Sequence, residues 1–304
     1  MKYILMPVLA ILLCSRVQAC DVCGGSQGSY LGILPRYNSH FVGLSFQYQQ
    51  FTSTHPLMAG EKEPVTSQNY VRSVTAWGRF YPLKRLQVFA FVPYTYNSAV
   101  EPTQTVVMDG IGDVRLMANY MLLNTADSSE SRAKHTLLAG GGIKAPTGRN
   151  DVANTEGIIL SNMQPGTGSW DYTANVNYTL RIGKAGVNTD VSYKLGSANK
   201  RDYRYGNKLN AGLTGFYWYD KGKVSLLPQA GLRYEHSDVD YSSYLYRIRN
   251  TYSGGDQVYA TAGAGLYLGK FAITATGSIP VWQHYAGGLV QAKPRLETQV
   301  QFLF

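Results

Sequence analysis

Two closely spaced cysteines and five histidines are the residues best equipped for chemistry, and their surroundings narrow what that chemistry is. Cys20 and Cys23 form Cys-Asp-Val-Cys, followed by Gly24, Gly25, Ser26, Gln27 and Gly28. In an oxidising compartment such a pair closes a small disulfide loop. A thiolate metal centre needs more ligands than two, and His40 is distant in sequence. A thioredoxin-like redox site would set the pair at a helix start, which the glycines oppose. The preferred reading is a disulfide, with lipidation of Cys20 or metal binding as alternatives. Among the histidines, His135 stands beside Lys134 and Thr136, whereas His55, His236 and His284 lack an evident serine partner. Hydrolysis needs a nucleophile and a base side by side, and this distribution predicts neither an enzyme nor a bound cofactor.

The elements that position these residues are strands. Met1 to Ala19 has a lysine near its start, an apolar run from Ile4 to Cys14 and small residues before Cys20, which marks a secretory signal peptide. Its removal lowers the formal charge from +9 to +7. Residues 20–40 read as an irregular periplasmic segment or plug, and residues 41–304 as a barrel. From Phe41 onward the chain repeats runs of about ten alternating residues separated by breaks. Trp170, Tyr172, Ala174, Val176, Tyr178 and Leu180 alternate with Ser169, Asp171, Thr173, Asn175, Asn177 and Thr179, a spacing a helix would scatter around its circumference. The last run sets Leu296, Thr298, Val300, Phe302 and Phe304 against Arg295, Glu297, Gln299 and Gln301. No interior stretch reaches the roughly 18 apolar residues of a membrane-spanning helix. The 24 tyrosines, 32 glycines and 15% charged residues suit an all-β, transmembrane, antiparallel up-and-down β-barrel of about 12 strands.

The breaks alternate in length, with Asn124 to Lys134 the one exception. Pro82 to Arg85, Gly183 to Ala185, Asp220 to Lys223 and Gly269-Lys270 are short, while Thr52 to Asn69 and Pro146 to Gly168 are long. Short turns at one rim and long loops at the other are the habit of outer-membrane barrels, with both termini on the periplasmic, short-turn side. A soluble sandwich has no reason to sort its loops this way. Lys84, Arg85, Lys134, Lys184, Lys221, Lys223 and Lys270 gather at the short-turn rim, in reach of outer-membrane lipid headgroups. The basic charge is thereby spent on the rim, and a nucleic-acid partner, which needs one basic patch with stacking aromatics, is excluded.

Four stretches in order carry a resemblance: Leu86 to Tyr94 (LQVFAFVPY), Gly110 to Leu116 (GIGDVRL), Gly142 to Gly148 (GIKAPTG) and Pro165 to Asp171 (PGTGSWD). From about residue 41 to the end the chain resembles the outer-membrane family named for the meta-pathway of phenol degradation. The resemblance implies a barrel in the bacterial outer membrane and a transport role; it leaves the solute open and does not extend to Cys20 to Gly25. The terminal Phe304 resembles the aromatic residue read by the barrel-assembly machinery.

Inward faces assigned by alternation carry Arg115, Lys144, Lys194, Lys208, Arg233, Lys293 and Arg295 against Asp113, Asp171, Asp190, Glu235 and Glu297. This near-balance reads either as an ion-pair network that rigidifies a narrow lumen or as a mildly anion-selecting path for a small solute; the alternative to a channel is a non-transporting outer-membrane anchor that works through a partner held by the Cys20 to His40 segment or the long loops. Arg115 and Lys144, on neighbouring strands, are the first candidates for the path. Gly141, Gly142, Gly263 and Gly265 mark either room for a ligand or curvature.

Overall fold

The protein is described by a computed structural model covering residues 39–54, 64–125, 132–154, 157 and 159–304. Residues 1–19, Cys20, Cys23 and His55 lie outside the described residues. The strands are β1 (Phe41–Thr54), β2 (Thr66–Leu83), β3 (Leu86–Val100), β4 (Thr105–Ile111), β5 (Arg115–Asn124) and β6 (Ala133–Lys144). They continue as β7 (Asp171–Ile182), β8 (Ala185–Gly196), β9 (Lys208–Tyr217), β10 (Tyr219–Lys221), β11 (Val224–Ser237), β12 (Asp240–Ser243) and β13 (Ile248–Asn250). β14 (Gly255–Leu268), β15 (Phe271–Tyr285), β16 (Val290–Ala292) and β17 (Arg295–Leu303) complete the chain.

Every neighbour in the main sheet is antiparallel, and the sheet closes because β17 pairs with β15 on one side and β1 on the other. β4 with β5, β9 with β10, and β16 with β17 each act as one interrupted strand, which leaves a closed barrel of twelve. β12 and β13 form a separate hairpin above the long-loop end. Closure leaves no open edge, the condition for a sheet to sit in lipid.

Burial is inverted relative to a water-soluble protein. Gln49, Asn119, Asn177, Asn188 and Gln299 are buried, while Leu44, Val74, Leu116, Val176 and Ile273 are exposed on the outer wall. Along most strands the polar row therefore lines the lumen and the apolar row meets the surroundings. The short turns at residues 183–184, 222–223 and 269–270 begin with Gly183, Gly222 and Gly269 at φ of 61°, 68° and 59°. A glycine costs little in that left-handed region, and the twist of such a turn matches that of the strands it joins.

Three details differ from the alternation. β4 extends a hairpin with β3 above the wall, over residues expected to be loop. β2 carries an arginine on each row: Arg79 pairs with Phe41 and faces inward, and Arg72 faces outward in the row of Tyr48 and Tyr96. Between β16 and β17, Lys293 and Pro294 add a residue. Ala292 pairs with the inward Phe51, the N–H of Lys293 donates to Gln50, and Leu296 pairs with the outward Tyr48. Counting back by twos from Leu296 had put Lys293 inside; the bulge moves it to the outward row opposite Gln50.

Candidate functional site

The lumen gathers most of the charged residues anticipated there, and it does so in rows across the strands. Asp190 in β8, Gly212 in β9 and Arg233 in β11 occupy one row. With no side chain between them, the Arg233 Nη2 reaches Asp190 Oδ1 at 3.3 Å, both residues being buried. The same device recurs at Asn119, Gly140 and Asn175, where Asn175 donates to Asn119 at 3.0 Å. Inward glycines thus serve contacts between second-neighbour strands. Gly263 follows suit, since Gln229 of β11 donates across it to Thr276 Oγ1 of β15 at 3.3 Å, while Gly142 makes room for its neighbour, a Cβ there lying 2.5 Å from Met117 Cγ. Gly141 is a correction: its partners Ala118 and Ala174 put it on the outward row, so it makes no room inside.

Asp113, in the break between β4 and β5, ties the long loop at residues 145–170 to the wall. Its carboxylate accepts from the N–H groups of Gly148 and Thr167 at 2.9 and 2.8 Å, from the Thr167 hydroxyl at 2.7 Å and from Lys144 Nζ at 2.7 Å. Lys144 also lies 3.2 Å from Asp171, which Lys194 approaches at 3.0 Å. The backbone has to come very close here: a Cβ on Gly148 would sit 2.6 Å from the carbonyl carbon of Gly112, and one on Gly166 2.7 Å from Asp113 Oδ1. The stretches around Gly110, Gly142 and Pro165, far apart in sequence, meet at this carboxylate.

Arg115 pairs in register with Lys144, as the spacing suggested, but the two cations diverge. Lys144 turns to Asp113 and Asp171, while the Arg115 guanidinium lies 5.1 Å from the centre of the Phe91 ring. Arg115 makes no ion pair among the described residues, and its Nε is buried without a hydrogen-bond partner. Phe91 stacks on Trp77 at 5.8 Å and on Phe89 at 6.2 Å, and Trp77 meets Phe41 edge-on at 4.5 Å. An aromatic cluster therefore lines the lumen on β1 to β3, with Met117 and Leu303 joining it beside the buried Gln49, Thr75 and Gln87, while β6 to β9 are lined mainly by Asn, Thr, Asp and Lys.

Charge alone missed these aromatics, and it missed Arg79. That side chain is 1% exposed, donates to the Ser39 carbonyl at 2.9 Å and lies 5.1 Å from the Phe41 ring. The signal was present, since Phe89, Phe91 and Tyr259 sit in rows that also carry polar residues, but an apolar partner row hides it.

At the long-loop end Arg295 spans part of the lumen. Its guanidinium lies 4.0 Å over the Tyr259 ring and 2.8 Å from Glu235 of β11, with β14 and β15 intervening along the wall. Glu297 accepts from Ser45 and Gln299, and Lys208 pairs in register with Lys194. At the short-turn end a cavity of about 620 Å³ is lined by Trp218, Tyr267 and Leu303 inside and by Arg181, Asp220 and Lys223 at the mouth.

His135 lies on the outer wall with its Nδ1 2.8 Å from the Tyr178 hydroxyl. His236 contacts Asp256 at 2.8 Å and Asp238 at 3.3 Å. Neither pairing includes a serine or threonine nucleophile.

No family model matches the chain, and no curated protein matches it in sequence. Among solved structures, the barrel is similar to an outer membrane channel from Pseudomonas putida F1 at 15% identity and a TM-score of 0.66, over 93% of this chain and 100% of that one. It is also similar to the beta domain of the Bordetella autotransporter Brka, at 12% identity and a TM-score of 0.47, over 88% of this chain and 100% of that one. A Pseudomonas aeruginosa FadL homologue aligns at 10% identity and a TM-score of 0.42, over 88% of this chain and 89% of that one. The chain has the fold of an outer-membrane β-barrel. That fold supplies the meaning of the inverted burial: the exposed apolar rows are the surface offered to lipid.

Proposed function

We propose that this barrel is a passive outer-membrane channel for small solutes, with both termini at the periplasmic rim and a lumen that favours anions. The structure it resembles from Pseudomonas putida F1 is an outer membrane channel. The observation that carries the reading is Arg115. Asp113, Asp171, Asp190 and Glu235 are each met by a basic side chain, so the inner acids are offset within the wall. Arg115 is instead held over Phe91 beside the stacked Trp77. Among the described residues Arg115, Lys144 and Lys194 thus face only Asp113 and Asp171, and the one cation in excess sets the sign of the potential along a narrow, low-dielectric path. Lys144, Lys194, Arg233 and Arg295 then serve as wall struts with their acidic partners, and Lys208 and Glu297 line the same path.

Purified protein in planar bilayers gives discrete conductance steps, and the reversal potential in a salt gradient reports the ion preferred. Arg115→Gln lowers the anion-to-cation permeability ratio while leaving the steps in place. Absence of conductance would end the channel reading; conductance with a ratio indifferent to Arg115 would end the assignment of its selectivity.

A further inference from the structure

We infer that the outer wall of β1 to β3 carries a binding site for the phosphate group of an outer-leaflet glycolipid, centred on Arg72. The proposal concerns the lipid face and rests on the orientation given above, with the long loops outside.

Arg72 is a cation on the apolar side of the barrel. The outward row of β2 below it reads Val74, Ala76, Gly78 and Phe80, and the rows beside it read Leu44 and Phe46 in β1 and Val92 in β3. At the level of Arg72 all three strands change character together, to Tyr48, Tyr70, Tyr94 and Tyr96, with Gln50, Thr52 and Gln68 above. Eight residues separate Arg72 from Phe80, roughly 20 Å of height for a tilted strand, against an apolar band about 25 Å tall. Arg72 therefore lies at the outer interface, where a charge is tolerated, and not at mid-membrane.

Its surroundings fix the guanidinium without neutralising it. The ring centres of Tyr70, Tyr96 and Tyr48 lie 5.4, 5.6 and 6.0 Å away, and Arg72 makes no hydrogen bond or ion pair among the described residues. A planar fork of donors held by aromatic faces and left open toward lipid suits a phosphate, which it can bind with two parallel hydrogen bonds. The bulge at Pro294 adds a second cation, because it turns Lys293 to the outward row beside Gln50, two strands from Arg72. Gln68 accepts from Gln50 and Thr52 at 3.1 Å each, a polar shelf on which a sugar headgroup can rest. Asp109, beyond Tyr96, is the nearest acid in the same row, and its carboxylate accepts from the Tyr94 hydroxyl.

The test uses the full mature chain in detergent, with bisphosphorylated lipid A as probe and bound lipid counted by native mass spectrometry. Wild type retains the lipid, and Arg72→Gln weakens binding about tenfold, the value of one hydrogen bond to a charged group. Arg72→Lys, which keeps the charge and loses the fork, is intermediate. Lys293→Gln weakens binding less, and it still reports should Arg72→Gln fail to refold. Dephosphorylated lipid A binds wild type and Arg72→Gln alike, and millimolar inorganic phosphate does not displace the phosphorylated lipid. Equal binding of bisphosphorylated lipid A by wild type and Arg72→Gln overturns the site. Displacement by inorganic phosphate overturns its assignment to lipid. Conductance of the same preparations keeps the channel reading separate, since it can fail while lipid binding persists.

Discussion

Asp190 and Arg233 form an ion pair across Gly212, although their strands are not neighbours. Strands two places apart in a sheet stand about 10 Å from each other, and any side chain between them would block the approach. The lumen is thereby cross-braced along its wall, with the bracing written as a missing side chain.

Gly212→Ala tests this. Its methyl would lie 2.5 Å from Asp190 Oδ1 and 3.0 Å from Arg233 Nη2, so the pair has to open. Asp190→Ala, which takes the paired carboxylate from a buried guanidinium, costs about 3 kcal/mol, and Gly212→Ala approaches that figure. Because both act on one contact, the double variant costs less than the sum. Urea unfolding in liposomes, followed by tryptophan fluorescence, measures all three.

Asp113→Asn is expected to release the loop at residues 145–170. The neutral amide keeps the shape but loses the charge that holds Lys144, and one of its atoms now donates where Gly148, Thr167 and Lys144 all require an acceptor. Loss of such charge-assisted bonds costs about 2 kcal/mol. Limited trypsin digestion should cut faster at the exposed Arg149, with the barrel strands still protected.

How far the sequence discloses this arrangement depends on whether parity survives along a strand. In β7 it does, and Asp171, Asn175 and Asn177 were assigned inward from spacing alone. At Lys293 it fails, because Pro294 adds a residue that reverses every side chain on its far side. In β3 the row of Phe89 and Phe91 is marked by Gln87 but is otherwise nearly as apolar as the row of Leu86 and Val88, so the signal was weak; the aromatic cluster became visible when the register joined Phe91 to Trp77 and Arg115. The convergence on Asp113 was hidden for another reason. Gly112, Gly148 and Gly166 are contacts in space, and their spacing in the chain carries no trace of each other.

Phe304 separates an assembly signal from a structural role. Its ring stacks on His40 at 5.7 Å and lies 6.3 Å from Phe302, but it is half exposed, and its backbone N–H donates to the His40 carbonyl at 3.0 Å. Deleting it removes a half-exposed ring and one terminal backbone hydrogen bond at the seam, the bond worth about 1 kcal/mol. If the residue is read by the assembly machinery, deletion lowers the level in the outer membrane severalfold while purified protein refolds in detergent with unchanged heat-modified gel mobility. Equal loss in both assays would show that the ring acts through stability.

Arg295 and Glu235 allow the wall and the path to be tested separately. Arg295→Ala removes the group 4.0 Å over Tyr259 and leaves the Glu235 carboxylate in the lumen wall without its cation, at a cost of about 3 kcal/mol. The paired variant Arg295→Met with Glu235→Gln removes both charges, fills similar volume and should recover most of that loss. Its conductance then decides what the strut does. If the pair obstructs the long-loop end, Arg295→Ala raises single-channel conductance and the methionine variant returns it toward wild type, because bulk alone restores the obstruction. If the pair filters ions, the paired variant keeps the wild-type conductance and shifts the reversal potential. No change in either quantity would confine Arg295 to holding β17 against β11 through Tyr259.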